Sequence, residues 1–175
     1  MSTVSAPAST FAASLMIPAA ERSVAYGEVL VKDIPAEKFG HMPHPSMNHP
    51  LFNIGHLALY PNRVLTMIGR SDLVKEKAGW DKLFAAGCPC VEQDGRDPSK
   101  DEVVAHFLER SRAAIAAMAN VTDDVLDQQN PIEGRMRELF PKVGHAVLFL
   151  LNNHPMMHLG QISAWRRAVG LPSVM

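Results

Sequence analysis

The pattern of apolar and polar residues along the chain predicts four long helices. Apolar residues recur every three or four positions in four stretches, at about 10–31, 49–68, 100–119 and 143–169. No run alternates apolar and polar residues for long, as a half-buried strand would. We therefore predict an all-α fold, a four-helix bundle with long connecting loops, as a single domain over 9–175 behind a flexible N-terminus at 1–8.

Local signals mark where the predicted helices begin or break. Ser46 or Asn48 is expected to cap the second helix, because a side-chain oxygen can accept a backbone N–H of the first turn. Ser99 followed by Glu102 is a capping box that opens the third helix. Pro61 lies inside the second helix, where it removes one hydrogen bond and is expected to kink or split the helix.

Long connections join the predicted helices, and the two longest cover about 69–98 and 120–143. Within the first of these, residues 73–84 are expected to form a short helix or irregular turns. These connections are longer than a minimal bundle needs. Long loops at one end of a bundle commonly serve a functional site.

Composition narrows the classes of function. The chain has 175 residues, of which 47% are hydrophobic and 20% are charged, with a formal net charge of −1. This balance provides no basic surface for nucleic acid. No apolar run reaches the roughly 18 residues of a membrane span, and no signal peptide is recognisable. We expect a cytoplasmic protein that binds neither nucleic acid nor membrane.

Two histidines near the C-terminal end, His154 and His158, are the first candidates for chemistry. Four residues of helix turn through about 400°, so both imidazoles lie on one face, one turn apart. Burying two neutral imidazoles together is costly unless each finds a polar partner, and a shared metal ion is one such partner. Hydrogen-bonded core histidines are the alternative interpretation.

His56 supplies a third imidazole from the middle of the apolar second helix. If the second and fourth helices are neighbours, His56, His154 and His158 can occupy one side of a metal ion. Three protein ligands plus water are typical of catalytic zinc sites. Imidazole also suits nickel, copper or iron, so the spacing does not determine which divalent ion binds, although we expect zinc or nickel first.

Several motifs, in this order, resemble those of the DinB-like (DinB/YfiT-like) proteins. They are Gly-His-Leu at 55–57, His-x-x-x-His at 154–158, and then Gly-Gln-Ile, Trp-Arg-Arg and Gly at 160–162, 165–167 and 170. The segment Asp-Ile-Pro-Ala-Glu-Lys-Phe at 33–39 and the capped helix near residue 100 also stand in the expected order. The resemblance covers most of the chain, and its specific part is the Gly-His-Leu region together with the C-terminal end.

The resemblance implies a four-helix bundle in which one histidine of the second helix and two of the last bind a divalent metal. These positions are His56, His154 and His158. Related proteins include thiol S-transferases that use low-molecular-weight thiols such as bacillithiol, mycothiol or glutathione. By this resemblance we expect a metal-dependent enzyme that activates a thiol or water for attack on a small molecule, and we expect a homodimer.

Two other classes of function stay open. A bundle with a structural or sensory metal, or with a role in stress, would use the same histidines without turnover. Alternatively, the three histidines bind no metal. The sequence contains no nucleophile elbow, phosphate loop or dinucleotide glycine pattern, so it names no catalytic residue and no further cofactor.

Pro155 is a departure from a regular helix, because it lies between two of the predicted ligands. Either it bends the fourth helix, or the helix starts afresh near Asn153 with Pro155 in its first turn. The position of His154 therefore depends on how the helix accommodates Pro155. His49 lies two turns before His56, beyond easy reach of the same ion.

Several other polar residues lie near the predicted ligands in the sequence, and we expect each of them to have at most a supporting role. Gln161 is a candidate partner of the ligand His158, and Tyr60 can point its hydroxyl towards the site. Cys88 and Cys90 are interpreted as loop cysteines, since zinc-binding pairs are spaced by two or more residues. The remaining polar candidates are Asn48 and Asn53, and the histidines expected to be exposed or structural are His41, His44, His106 and His145.

Overall fold

A computed structural model describes residues 10–174 and shows an all-α protein. Its α-helices, in chain order, are α1 Phe11–Lys32, α2 Pro50–Met67, α3 Trp80–Phe84, α4 Lys100–Met118, α5 Asp123–Asp127, α6 Arg135–Leu139, α7 Val143–Leu148 and α8 His154–Ala168. A π-helical segment, Phe149–Asn153, joins α7 to α8. The described residues contain no strand, so the predicted fold class is confirmed. The N-terminus predicted to be flexible lies outside the described residues, and the single-domain boundary stays a prediction.

The four long predicted helices are present. The stretch 73–84 contains the end of a 3-10 turn, Ser71–Leu73, and then α3, so the short helix expected there is confirmed. The long connection predicted at 120–143 contains two further short helices, α5 and α6. At the start of α5 the Thr122 hydroxyl accepts a hydrogen bond from the Val125 N–H, which stabilises the first turn. The spacing of apolar residues carries no information about such a cap.

Contacts at one end of the bundle define how three of the long helices run. Near the end of α8, the Arg166 guanidinium donates to the Leu30 carbonyl and binds the Asp33 carboxylate, both at the end of α1. α1 and α8 therefore run in the same direction. Lys100, the first residue of α4, donates to the Ile34 carbonyl just beyond α1, so α4 runs in the opposite direction.

The direction of α2 explains the longest connection. His56 of α2 faces His154 of the last helix and Asn53 faces His158, so α2 and α8 are antiparallel. Around the bundle the order is α1, α4, α2 and α8. α2 and α4 are consequently parallel neighbours, and the crossover at 68–99 has to return along the length of the bundle. The crossover carries α3, which packs against α2.

Buried apolar residues form two clusters, one towards each end of the bundle. The cluster near the start of α1 includes Ala20, Val64, Leu65, Met118, Val147 and Leu150. The cluster near the end of α1 includes Leu30, Ile54, Phe107, Leu159, Ile162 and Trp165. On the last helix the two clusters are separated by the stretch between Leu151 and Leu159, and His154 and His158 lie in this stretch.

His49, rather than Ser46 or Asn48, caps α2. Its Nδ1 accepts a hydrogen bond from the Phe52 N–H at 3.0 Å, and its Nε2–H donates to the Val91 carbonyl at 2.8 Å. The predicted cap was wrong because an imidazole nitrogen can accept a first-turn N–H as well as an oxygen can.

Two prolines inside helices are accommodated differently. α2 runs unbroken through Pro61, so the helix is not split there. At Pro155 a regular α-helix would set the ring against the carbonyl four residues earlier and leave that carbonyl without a donor. Instead the His154 amide donates to the Phe149 carbonyl five residues back, and α8 then begins with Pro155 in its first turn. The backbone stays helical from Leu148 through Asn153 to His154, so the helix does not start afresh as the second alternative predicted.

Gly55 allows the crossover to approach α2 closely. A Cβ atom at this position would lie 2.7 Å from three atoms of the Phe84 ring. Phe84 is itself 1% exposed, so its ring cannot move aside into solvent. The absence of a side chain at Gly55 therefore sets the distance between α2 and α3.

We predict that Gly55→Ala destabilises the protein by about 1–3 kcal/mol, because the added methyl group overpacks a filled site. Gly160→Ala is the matched control, since a Cβ there meets no atom within 4 Å. At this exposed helical position we expect a gain of about 0.5–1 kcal/mol from the lower conformational entropy of unfolded alanine. Urea unfolding measures both changes, and equal stability of the two variants would contradict the close approach.

Candidate metal centre

Three imidazoles meet between α2 and the start of α8. The ring centroid of His56 is 5.1 Å from that of His154 and 4.6 Å from that of His158, and the latter two are 4.7 Å apart. One nitrogen from each ring can be chosen so that all three lie within 4.8 Å of one another. A tetrahedral zinc ion with bonds of about 2.0–2.1 Å separates its nitrogens by about 3.4 Å, so the rings need only a small approach.

The Phe84 carbonyl fixes the tautomer of His56. The two groups are 2.6 Å apart, through Nδ1 of the imidazole. A carbonyl oxygen can only accept, so Nδ1 carries the hydrogen and Nε2 carries a lone pair. This Nε2 points to Nε2 of His154 at 3.2 Å. His56 is thereby set with its lone pair towards the other histidines.

Asn53 fixes the tautomer of His158. The Asn53 amide nitrogen donates to the backbone carbonyls of Asn48 and His49, at 3.1 and 3.3 Å. The other end of the amide, Oδ1, therefore faces His158 Nδ1 at 2.9 Å and accepts its hydrogen. Nε2 of His158 is left with a lone pair. The start of α2 thus orients one ligand, as α3 orients another.

His154 has no comparable hydrogen bond. Its Nδ1 is buried and has no hydrogen-bond partner among residues 10–174. Its ring is held by packing instead, with the Tyr60 ring at 4.5 Å and the Phe149 ring at 5.5 Å between centroids. Nε2 of His56 carries no hydrogen. The 3.2 Å contact is therefore favourable only if Nε2 of His154 donates a hydrogen to it, or if both nitrogens bind one cation.

The residues present fit a divalent metal ion. Two of the three imidazoles are fixed by hydrogen bonds in the tautomer that presents Nε2, and partners on the far side of the ring are a common feature of metal-binding histidines. The group contains neither a carboxylate nor a thiol. Imidazole-only donors suit zinc, nickel, copper or iron, so the geometry does not name the metal.

Burial lowers the pKa of all three imidazoles. Desolvation, followed by the positive charges of neighbouring groups, lowers the pKa of His154 to about 3. The same causes lower the pKa of His158 to about 4. The pKa of His56 is also lowered by desolvation, against the opposing effect of the Phe84 carbonyl. At neutral pH the three rings are therefore uncharged and their lone pairs are available to a cation.

The other histidines lie apart from the centre. His41, His44 and His145 are exposed, as expected. His106 is buried against Trp80, with ring centroids 5.0 Å apart, and fits the structural role predicted for it. His49 uses both ring nitrogens at the cap of α2.

The two cysteines also lie outside the group of metal-ligating side chains. Both are free and partly buried. The Cys88 thiol lies 3.3 Å from the Lys82 carbonyl and donates to it. Burial raises the pKa of the Cys90 thiol. Burial therefore favours the neutral thiol of Cys90. Both cysteines lie in the loop that follows α3, as the sequence predicts.

Two orienting groups were underestimated or missed from the sequence. Asn53 was named only as a nearby polar residue, although an amide in an apolar helix three residues before His56 needs a buried partner. The Phe84 carbonyl carries no sequence signal, because any residue supplies a carbonyl.

Gln161 lies within hydrogen-bonding reach of His158, in keeping with the partner role predicted for it. Tyr60 packs its ring against two ligands.

Comparison with known proteins identifies the family. A family model described as the DinB superfamily matches residues 20–162. The chain belongs to the DinB superfamily. The matched segment includes all three histidines of the centre, which agrees with the resemblance seen in the motifs. A search of curated proteins found no match. None of the helices in residues 10–174 of this DinB-superfamily protein is long and apolar enough to cross a membrane.

We predict that Asn53→Ala weakens metal affinity by about 10- to 100-fold, because His158 loses the acceptor that fixes its tautomer. A competition titration against a chromophoric chelator measures the affinity. Asn120→Ala, at an exposed position just after α4, is the control and should bind as tightly as the parent protein. Unchanged affinity in Asn53→Ala would remove Asn53 from the site.

The metal-free protein should lose stability as the pH falls. Folded pKa values of about 3 and 4 lie below the ordinary value of 6.5, so the unfolded chain binds protons first. The contribution of these rings is complete above about pH 6.5 and declines towards pH 4, by about 1 kcal/mol per pH unit for each histidine. Urea unfolding in chelator at pH 7.5, 6 and 5 tests this.

Burial also lowers the pKa of His49 and His106, so these histidines contribute to the same loss of stability. The variant His154→Leu isolates the contribution of the centre. This variant should show a shallower decline below pH 6.5 than the parent protein. An exposed control, His145→Gln, should follow the parent. Identical slopes in His154→Leu and the parent would contradict the burial of His154 as a neutral ring.

Proposed function

We propose that this DinB-superfamily protein is a metal-dependent enzyme that activates a thiol or water at the centre formed by His56, His154 and His158. The observation that carries this proposal is the convergence of three neutral imidazoles, two of them held in the metal-binding tautomer. Zinc or nickel is the ion we expect. The substrate would be a small molecule, and the thiol would be one of low molecular weight.

An imidazole-only centre favours activation of a bound nucleophile. The three side chains contribute no negative charge, so they leave the charge of a divalent ion undiminished. When bound, such an ion lowers the pKa of a thiol or water and supplies a nucleophile at neutral pH. Structural zinc sites, in contrast, are commonly closed by four protein ligands.

One side of the centre lies closer to the protein surface than the others. His56 and His154 are buried, but His158 is only partly buried. Next to it, the exposed residues on the same helix are Met157 and Gln161. Gln161 is within hydrogen-bonding reach of His158, where its amide can hold a proton-bearing nucleophile in place. The aromatic ring of Tyr60 packs against His56 and His154, with ring centroids 4.8 and 4.5 Å away.

A structural or sensory metal is the second candidate, and the position of the centre favours it. The imidazoles bridge α2 and α8 at the boundary between the two apolar clusters. Any ion bound there would stabilise the contact between these helices, because it binds the folded chain and not the unfolded one. Both candidates require metal binding, and they differ in turnover.

Metal analysis tests the feature that both candidates share. We expect about one equivalent of a divalent metal in protein purified without chelator, or after addition of zinc or nickel. His56→Ala, His154→Ala and His158→Ala should each lose most of the affinity, while His44→Ala, at an exposed loop position, should retain it. Less than about a tenth of an equivalent, with none bound on addition, would refute the metal centre.

Turnover assays then separate the two candidates. We expect metal-dependent transfer of a low-molecular-weight thiol to an electrophile, or hydrolysis of an ester, and loss of either activity in the three alanine variants. A metal-binding protein without turnover on any of these would support the structural or sensory role. The homodimer expected from the family stays a prediction, which analytical ultracentrifugation can address.

A further inference from the structure

A cavity lies between α2, α3 and α4, on the part of α2 that follows His56. It has a volume of about 380 Å³, within the range of small-molecule sites. The residues of α2 that line it are Leu59, Asn62, Arg63 and Thr66. Its other walls come from the crossover, from α3 and from His106 of α4. Charged and polar side chains dominate this lining, unlike that of the apolar grooves elsewhere on the bundle.

The walls of this cavity and of the metal centre share the same two pieces of chain. On α2, Tyr60 packs against the ligands of the centre, and the Arg63 guanidinium lies over the Tyr60 ring at 4.8 Å. On the crossover, the Phe84 carbonyl holds His56, and the next residue, Ala85, lines the cavity. The charge of Arg63 also contributes to the lowered pKa of His154. Cavity and centre are therefore neighbours, with Arg63 at their border.

Arg63 is the cation of this cavity whose charge no described side chain balances. Lys77, the other cation of the lining, forms an ion pair with Glu102 at 2.9 Å. The guanidinium of Arg63 makes its contact with the face of Tyr60 and forms no ion pair within residues 10–174. Its planar donors are free to bind a carboxylate through two hydrogen bonds.

We propose that this cavity is the recognition subsite for a carboxylate on the small molecule that reaches the metal centre, with Arg63 as the residue that binds the carboxylate. Because the small molecule is the substrate of the centre, the assignment rests on the proposed function. The acidic residues Glu76 and Asp81, on the crossover and α3, also line the cavity. They disfavour a carboxylate elsewhere in it and so confine this group to the side of Arg63.

Two thiols that differ only in the terminal group provide the test. They are 3-mercaptopropionate and 3-mercaptopropan-1-ol, each titrated into the full-length protein loaded with cobalt and followed through the thiolate-to-cobalt absorption band. We expect the carboxylate to bind about three- to fivefold more tightly than the alcohol, as one added ion pair allows. In Arg63→Gln the ratio should fall to about one. Arg22→Gln is the matched control, an exposed arginine of α1 away from the cavity, and should keep the parent ratio.

A measurement that needs no metal separates the subsite from the centre. Propionate and propan-1-ol are added to the isotopically labelled protein, with and without zinc, and the NMR signal of the Arg63 Nε–H is followed. We expect propionate alone to shift this signal, under both conditions. If the thiols fail to reach cobalt while propionate still shifts Arg63, the proposed function is refuted and the carboxylate subsite stands. If both thiols bind cobalt equally and the Arg63 signal does not respond, the subsite is refuted and the proposed function stands.

Discussion

The structure depends on the burial of three neutral imidazoles in the middle of a helical core. Desolvation makes their charged forms unfavourable, and it leaves each ring with polar atoms that need partners. Two of the rings satisfy one nitrogen with protein acceptors, the Phe84 carbonyl and the Asn53 amide oxygen. The remaining nitrogens converge, and no acidic group belongs to the cluster to balance a proton among them. A cation bound by one nitrogen of each ring would satisfy three of these lone pairs at once.

Residue patterns predicted the bundle and the three histidines, because both follow from short-range spacing. The apolar repeats located the four long helices, and the four-residue spacing of His154 and His158 put both rings on one face. What spacing could not supply were the partners from distant parts of the chain. The Phe84 carbonyl reaches His56 across 28 residues, and a backbone carbonyl has no identity in the sequence. The cap formed by His49 was missed for a different reason, since histidine is an uncommon cap.

The long crossover at 68–99 follows from the parallel arrangement of α2 and α4, and it is also part of the site. It brings α3 against Gly55, where only the absence of a side chain permits the contact. At that contact it orients one ligand, and with its other residues it forms a wall of the charged cavity. A connection forced by topology thus provides an orienting group for the centre, and in the proposed enzyme it would also hold the rest of the substrate. In this protein the crossover is therefore part of the candidate site together with the long helices.

The π-helical turn at Phe149–Asn153 has a consequence for the angular position of the ligands. It contains the one extra residue by which the last helix departs from regular α-helical winding before Pro155. One residue corresponds to a rotation of about 100° around a helix axis. The π-helical turn therefore determines which face of α8 points towards α2 when α7 is packed in its place. This turn precedes both histidines in the chain. Loss of one residue from this turn would leave every ligand in the chain and yet rotate His154 and His158 together away from His56.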